Sequence, residues 1–288
     1  MHKVTIAGAV LMALLVTTLV TLAKENAPAP AKTFSIKDLN MTFVRLEAGE
    51  FQMGSPVTEA NRQDNEFQHK VRLTRPFYMQ STEVTQAQYQ AVMGKNPSIF
   101  HGQNLPVENV SWDDAVAFCA ALSNRQARTF RLPTEAQWEY AARGTRTGTI
   151  SGDGKLEDLS WYADNSGRDR LDSIKLWDND PNSYFELLSN NGCGPHSVAT
   201  RKANDWGLYD MQGNVQQWVA DWYSDDYYHD AAARVDPTGP RESTLGSRVL
   251  RGASWGSDPR NCRLAHRDWN TPNATSASWG FRVVMEAR

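Results

Sequence analysis

The sequence has few of the residues on which most stabilising or catalytic devices are built. Three cysteines in 288 residues cannot all pair with one another, so a disulfide framework is excluded and at least one thiol is left over. Six histidines occur, but no two of them fall in an HxH or HxxxH arrangement, which leaves zinc unsupported. No P-loop or dinucleotide fingerprint is present. No charge of one sign dominates: 30 basic and 33 acidic residues give a net charge of −3, and the bases are scattered, so the footprint of a nucleic-acid binder is missing.

Aromatic anchors are plentiful, with ten tryptophans in the chain. They point to a fold pinned by large rings, many with an indole N–H that needs a partner. His2 and Lys3 precede an uncharged run from Val4 to Ala23, closed by Lys24 and Glu25. Its length and its place at the amino terminus read as a signal peptide or an uncleaved signal anchor over residues 1–23. The chain is therefore expected to be exported, periplasmic or extracellular, with residues 4–23 as its only membrane contact. No cysteine follows the run, which excludes a lipoprotein anchor. A Pro/Ala-rich linker is expected over 24–38 and one domain over 39–288.

Within that domain, Thr85-Gln-Ala-Gln88, Ser111-Trp-Asp-Asp114 and Thr134-Glu-Ala-Gln137 share one helix-start grammar. Each has a hydroxyl at the N-cap and an acid or amide three residues on. Gly94 and Gly144 stand where left-handed caps would end the first and third helices. Cys119 falls in the helical pattern Ala115, Phe118, Cys119, Leu122 and is expected to be a buried apolar residue. Strands are predicted at Met41–Leu46, His69–Leu73, Arg248–Leu250 and Gly280–Val284. The stretch from Gly144 to Ala203 has no periodicity and implies a loop-dominated fold. Asp178-Asn-Asp-Pro-Asn182 opens like a calcium loop but lacks its later glycine and glutamate, so an Asx-turn series is expected. Asp221 to Asp230 reads as a solvated loop with a few packed rings.

Several stretches, in order, carry a resemblance. They are Gly49-Glu-Phe-Gln-Met-Gly54, Phe77-Tyr-Met79 with Glu83-Val-Thr-Gln86, Arg131-Leu-Pro-Thr-Glu-Ala-Gln-Trp-Glu-Tyr-Ala-Ala-Arg-Gly144, Gly207-Leu-Tyr-Asp-Met-Gln-Gly-Asn-Val215, Arg251-Gly-Ala-Ser254, Asn270-Thr-Pro272 and Gly280-Phe-Arg282. Together they resemble the formylglycine-generating-enzyme, or sulfatase-modifying factor, family. The resemblance implies an α+β fold, irregular and loop-rich, of the C-type-lectin-like kind.

In the true enzymes of that family two cysteines hold Cu(I), a soft ion suited to two thiolates, and a substrate cysteine is oxidised to formylglycine. Counting forward from Gly252-Ala-Ser254, the matching positions here are Ser257 and Cys262. Counting backward from Asn270-Thr-Pro272, Cys262 falls at a non-catalytic position instead. Ser254 keeps the motif serine, whereas Gln216 replaces an active-site aromatic and Ser278 an asparagine. The resemblance also implies structural calcium, at Asp210, Gly213, Val215 and Gln217, with a second site beginning at Asn165 and Ser166. The expected function is that of an exported family member with a protein or peptide partner. It would be a divergent oxidative maturation factor or a non-catalytic binding and assembly module, the alternative being a copper-dependent formylglycine generator.

Overall fold

The computed structural model describes residues 32–287; the expected leader and almost all of the expected linker lie outside them. Residues 33–287 belong to one compact unit. The linker ends earlier than expected, because Thr33–Ile36 is already a strand, β1, paired antiparallel with β2 (Met41–Leu46). Ile36 is buried, and the Phe34 ring packs against Phe43 and Tyr78, which gives this segment its apolar anchorage.

A five-stranded sheet has the order β1-β2-β5-β11-β6, with β5 at Phe77–Gln80, β6 at Phe130–Arg131 and β11 at Val284–Glu286. A hairpin pairs β3 (Gly49–Met53) with β4 (His69–Leu73). A four-stranded sheet has the order β10-β7-β8-β9, from Trp279–Phe281, Gln216–Trp222, Arg248–Arg251 and Arg267–Asn270. Only its β10–β7 pair is parallel. The expected single strand at Gly280–Val284 is thus two strands in two sheets. The switch is made at Arg282, whose wholly buried guanidinium donates to Gln217 Oε1 (2.7 Å) and to the Tyr209 carbonyl (2.7 Å).

The three capped helices form where expected: α1 at Gln86–Met93, α2 at Trp112–Gln126 and α3 at Glu135–Arg143. In each, the cap hydroxyl accepts from the N3 backbone N–H while the N3 side chain accepts from the cap N–H. Gly94 closes α1 in the left-handed region at φ 74°. The middle of the chain is less irregular than its composition suggests, and holds α4 (Leu156–Leu159), α5 (Ser173–Asn179) and α6 (Tyr184–Asn190). Asp180 makes the expected Asx turn by accepting from Asn182 N. Asp221, expected in a solvated loop, is instead buried in β7, although Asp225, Asp226 and Asp230 are exposed.

One core gathers around Trp138, Val71, Met79 and Val249, the other around Phe43, Tyr89, Phe118, Trp218 and Phe281. Cys119 is buried in the second, as its helical spacing predicts. Among the described residues no helix is long and apolar enough to cross a membrane.

Candidate functional site

The strand β8 leads into the turn that carries the candidate residues. Gly252 (φ 96°) and Ala253 (φ 59°) turn the chain sharply. A Cβ on Gly252 would come within 2.9 Å of both the Met211 carbonyl and the Trp138 ring, so only glycine fits there. Backbone bonds from Gly213 N to Gly252 O (2.7 Å) and from Trp255 N to Asn214 O (2.8 Å) dock the turn onto the loop before β7.

Ser254 and Ser257 close this turn on each other. Ser257 Oγ accepts from Ser254 N at 3.0 Å and lies 3.3 Å from Ser254 Oγ, while Ser257 N donates to the Ser254 carbonyl. Gly252-Ala-Ser-Trp-Gly256 has the G-x-S-x-G spacing of a nucleophile elbow. No helix follows Ser254, and its hydroxyl contacts Ser257 Oγ and Gly256 N rather than a histidine. The arrangement therefore lacks the base that would activate a serine.

Cys262 is elsewhere. It packs with Tyr162 and Ala253 beneath the surface, only 2% exposed, and its sulfur donates to the Asp258 carbonyl at 3.6 Å. Burial pushes its thiol pKa well up, and the charges of Asp258 and Asp164 push it further. The residue is a neutral thiol at physiological pH, and nucleophilic or metal-binding chemistry needs a thiolate. The other two cysteines are buried and unpaired. Two thiolates are not brought together, and Cu(I) does not fit.

Gln216 starts β7 and donates to Asp268 Oδ2 at 3.1 Å, and Ser278 Oγ lies 2.8 Å from Ser276 Oγ. Side chains thus hydrogen-bond to side chains where the sequence comparison implied an aromatic and an asparagine.

The implied calcium ligands are also in other use. Gln217 Oε1 accepts from Trp138 Nε1 (2.8 Å) and Arg282 Nε (2.7 Å), while its amide N–H donates to the Asp210 carbonyl. Both lone pairs of that oxygen are taken, and the guanidinium supplies the positive charge an ion would bring. Asp210 Oδ2 accepts from Ala199 N, and Oδ1 has no partner. Burial raises the Asp210 pKa to about 6. Gly213 is fixed by a φ of 73° and by Trp161, whose carbonyl would lie 2.2 Å from an added Cβ; Val215 N donates to Glu83 Oε1. Asn165 caps its own turn by accepting from Tyr162 N, and Ser166 Oγ donates to the Trp255 carbonyl. Calcium wants several free oxygens; the side chains of Gln217, Asn165 and Ser166 are already hydrogen-bonded, whereas Asp210 Oδ1 is unpartnered. Among the described residues no group of three or more His, Cys, Asp or Glu could hold a metal ion.

The long family motif turns out to be scaffold. In α3, Glu135 pairs with Arg267 (2.7 Å), and Glu139 pairs with Arg143 (2.7 Å) and with Arg251. Arg263 pairs with Glu66 (2.6 Å). All of these groups are buried, so each charge depends on its partner.

What the turn does border is an open cleft of about 570 Å³, lined by Ser257, Asn61, Gln63, Asn261, Trp177 and Phe185, with the charged Asp178, Asp258, Arg260 and Asp268. As a candidate site residue the sequence singled out Ser257 alone; Asp178 stood out only as the start of an Asx-turn series. Asp258, Arg260 and Asn261 follow Ser257 directly, while the other residues come from segments with no motif linking them.

The Sulfatase-modifying factor enzyme 1-like domain matches this chain over residues 31–287. The chain belongs to that family.

Within the family, the chain is 32% identical to a formylglycine-generating enzyme of Streptomyces coelicolor, over 85% of this chain and 89% of the relative. It is 31% identical to the chaperone protein LppX of Paenibacillus barcinonensis, over 72% of this chain and 79% of the relative. It is 32% identical to the inactive C-alpha-formylglycine-generating enzyme 2 of Mus musculus, over 71% of this chain and 56% of the relative. Among solved structures, Treponema denticola variable protein 1 superimposes with a TM-score of 0.71 at 28% identity, covering 91% of this chain and all of that one. PvdO from Pseudomonas aeruginosa superimposes with a TM-score of 0.72 at 24% identity, over 91% of this chain, and shows the shared fold. The expected α+β, loop-rich fold is the one found. Family membership spans proteins named as enzymes, as a chaperone and as inactive, so the reaction has to be argued from the site.

Proposed function

We propose that this sulfatase-modifying factor protein is an exported binding or assembly module and not a copper-dependent protein-cysteine oxidase. One observation carries the reading: the only thiol near the family's catalytic turn, Cys262, is buried and held neutral, while the position facing the cleft is Ser257. Cu(I) needs two soft, ionised sulfurs. A serine hydroxyl is hard and neutral, and cannot stand in for the first; burial disfavours the thiolate that Cys262 would need to be the second. The similarity to a chaperone and to an inactive relative supports a role through binding, with a protein among the partners. Export rests on residues 1–23 alone.

Two measurements on the folded protein test this. Iodoacetamide under native conditions should leave Cys262 unmodified and label it only after unfolding. Titration with Cu(I) against a chromophoric chelator should show no site of greater affinity than in the Cys262→Ala variant. Rapid native alkylation of Cys262, or a one-to-one copper complex that depends on it, would overturn the proposal in favour of the oxidase.

A further inference from the structure

The open cleft beside Ser257 is built from chemistry of one kind. Its volume of about 570 Å³ lies inside the range of about 300–1,000 Å³ typical of small-molecule clefts. One wall is aromatic and comes from α5 and α6: Trp177 is 40% exposed and Phe185 63% exposed. These rings are held in place. Tyr184, buried between them, meets Trp177 edge-on at 5.1 Å and Phe185 at 5.3 Å, and its hydroxyl donates to the Gly256 carbonyl at 3.0 Å. Two exposed rings fixed on a rigid support, with no partner of their own on their open faces, mark a binding surface.

The lining also offers three planar amides, Asn61, Gln63 and Asn261. Their side chains make no hydrogen bond within the described residues. Each therefore presents both donors and an acceptor. The cation of the cleft is already paired: Arg260 is clamped between Asp178 (2.9 Å) and Asp258 (2.9 Å). Asp268 accepts from two neutral donors, Gln216 and Trp269 N. Among the described residues no free cation remains in the cleft to hold a phosphate, sulfate or carboxylate, and its carboxylates are acceptors of the kind sugar hydroxyls donate to.

We propose that this cleft binds a neutral oligosaccharide, its sugar rings stacked on Trp177 and Phe185 and its hydroxyls paired with Asn61, Gln63 and Asn261. A pyranose presents an apolar C–H face, suited to an aromatic ring, and hydroxyls that both donate and accept, suited to amides. The inference rests on the cleft being a binding site and not an oxidising one.

The test uses the full-length chain with cellohexaose, maltohexaose and chitohexaose as probes, read by tryptophan fluorescence and by calorimetry. Oligolysine and a heparin hexasaccharide serve as charged comparisons. At least one neutral hexaose should bind saturably. Trp177→Ala and the Asn61→Ala/Asn261→Ala pair should each weaken it about tenfold, the loss expected for removing one central contact. Trp177→Phe should retain most of the affinity, and Leu245→Ala, exposed and outside the cleft, should not change it; unchanged melting temperatures confirm folding. No saturable binding of any neutral hexaose overturns the proposal. So does neutral binding that survives Trp177→Ala, or tighter binding of either charged probe. These outcomes are independent of the copper titration, whose failure would sink the functional reading without touching the sugar measurement.

Discussion

At the scale of single residues, Cys262 and Ser257 decide the chemistry through their surroundings. Cys262 sits among Tyr162, Ala253 and Leu156 with its sulfur donating to the Asp258 carbonyl, an environment that keeps sulfur protonated. Restoring the missing cysteine should therefore not restore the metal site. Ser257→Cys is expected to add one alkylatable thiol while Cu(I) affinity stays far below that of a paired site, which competition with a chelator would measure. Cys262→Ala should lower stability by about 1 kcal/mol, as for a small buried group, and leave cleft binding intact, to be checked by chemical denaturation and calorimetry. The gap at Ser257 was legible in the sequence, because it follows from counting along a motif. The burial of Cys262 was not. Counting from the two flanking motifs gave two different positions, and only the packing beneath the turn separates them.

At the scale of elements, α3 and the crossing at Arg282 hold the site in place. The helix was legible from Thr134 and Gln137, since capping is local chemistry: the cap needs only residues three apart. Thr134→Ala removes the hydroxyl that accepts from Gln137 N and should cost about 1 kcal/mol, measurable as a shift in the denaturation midpoint. Glu139→Ala should be far more damaging, about 3–5 kcal/mol, because it leaves Arg143 and Arg251 buried without their carboxylate. What the sequence could not show is which strand belongs to which sheet. Gly280–Val284 has the pattern of one strand, and its division depends on Arg282 finding Gln217 and Tyr209 from distant segments. For the same reason α5 and α6 were hidden in a polar stretch: they are held by Leu176 of α5 and by Tyr184 and Leu188 of α6, in one cluster with Ala163 and Cys193, not by helical periodicity.

Across the whole molecule, the buried charges set how stability responds to pH. Burial foremost, with the charge of Glu135, pushes the Asp221 carboxyl up to about 8, and burial raises Glu108 to about 7. Each keeps in the folded state a proton that the unfolded chain releases above about pH 4. The folded state then binds more protons, so stability falls as pH rises through this range. His266, held down to about 4 by burial, works in the opposite direction, but only below about pH 6.5, where the unfolded chain would protonate it. Between about pH 6.5 and 8 the acids act alone, and the unfolding free energy should decline with pH by at most about 1.4 kcal/mol per pH unit for each proton, read as a falling melting temperature. Asp221→Asn should flatten that decline; an unchanged slope would show that Asp221 does not carry it. Reactivity is checked by mass spectrometry of a peptide containing Cys-x-Pro-x-Arg, incubated aerobically with the protein, one equivalent of Cu(I) and a thiol reductant. The peptide cysteine should be recovered unchanged; conversion to the aldehyde, abolished by Cys262→Ala, would mean that the buried thiol is a working copper ligand.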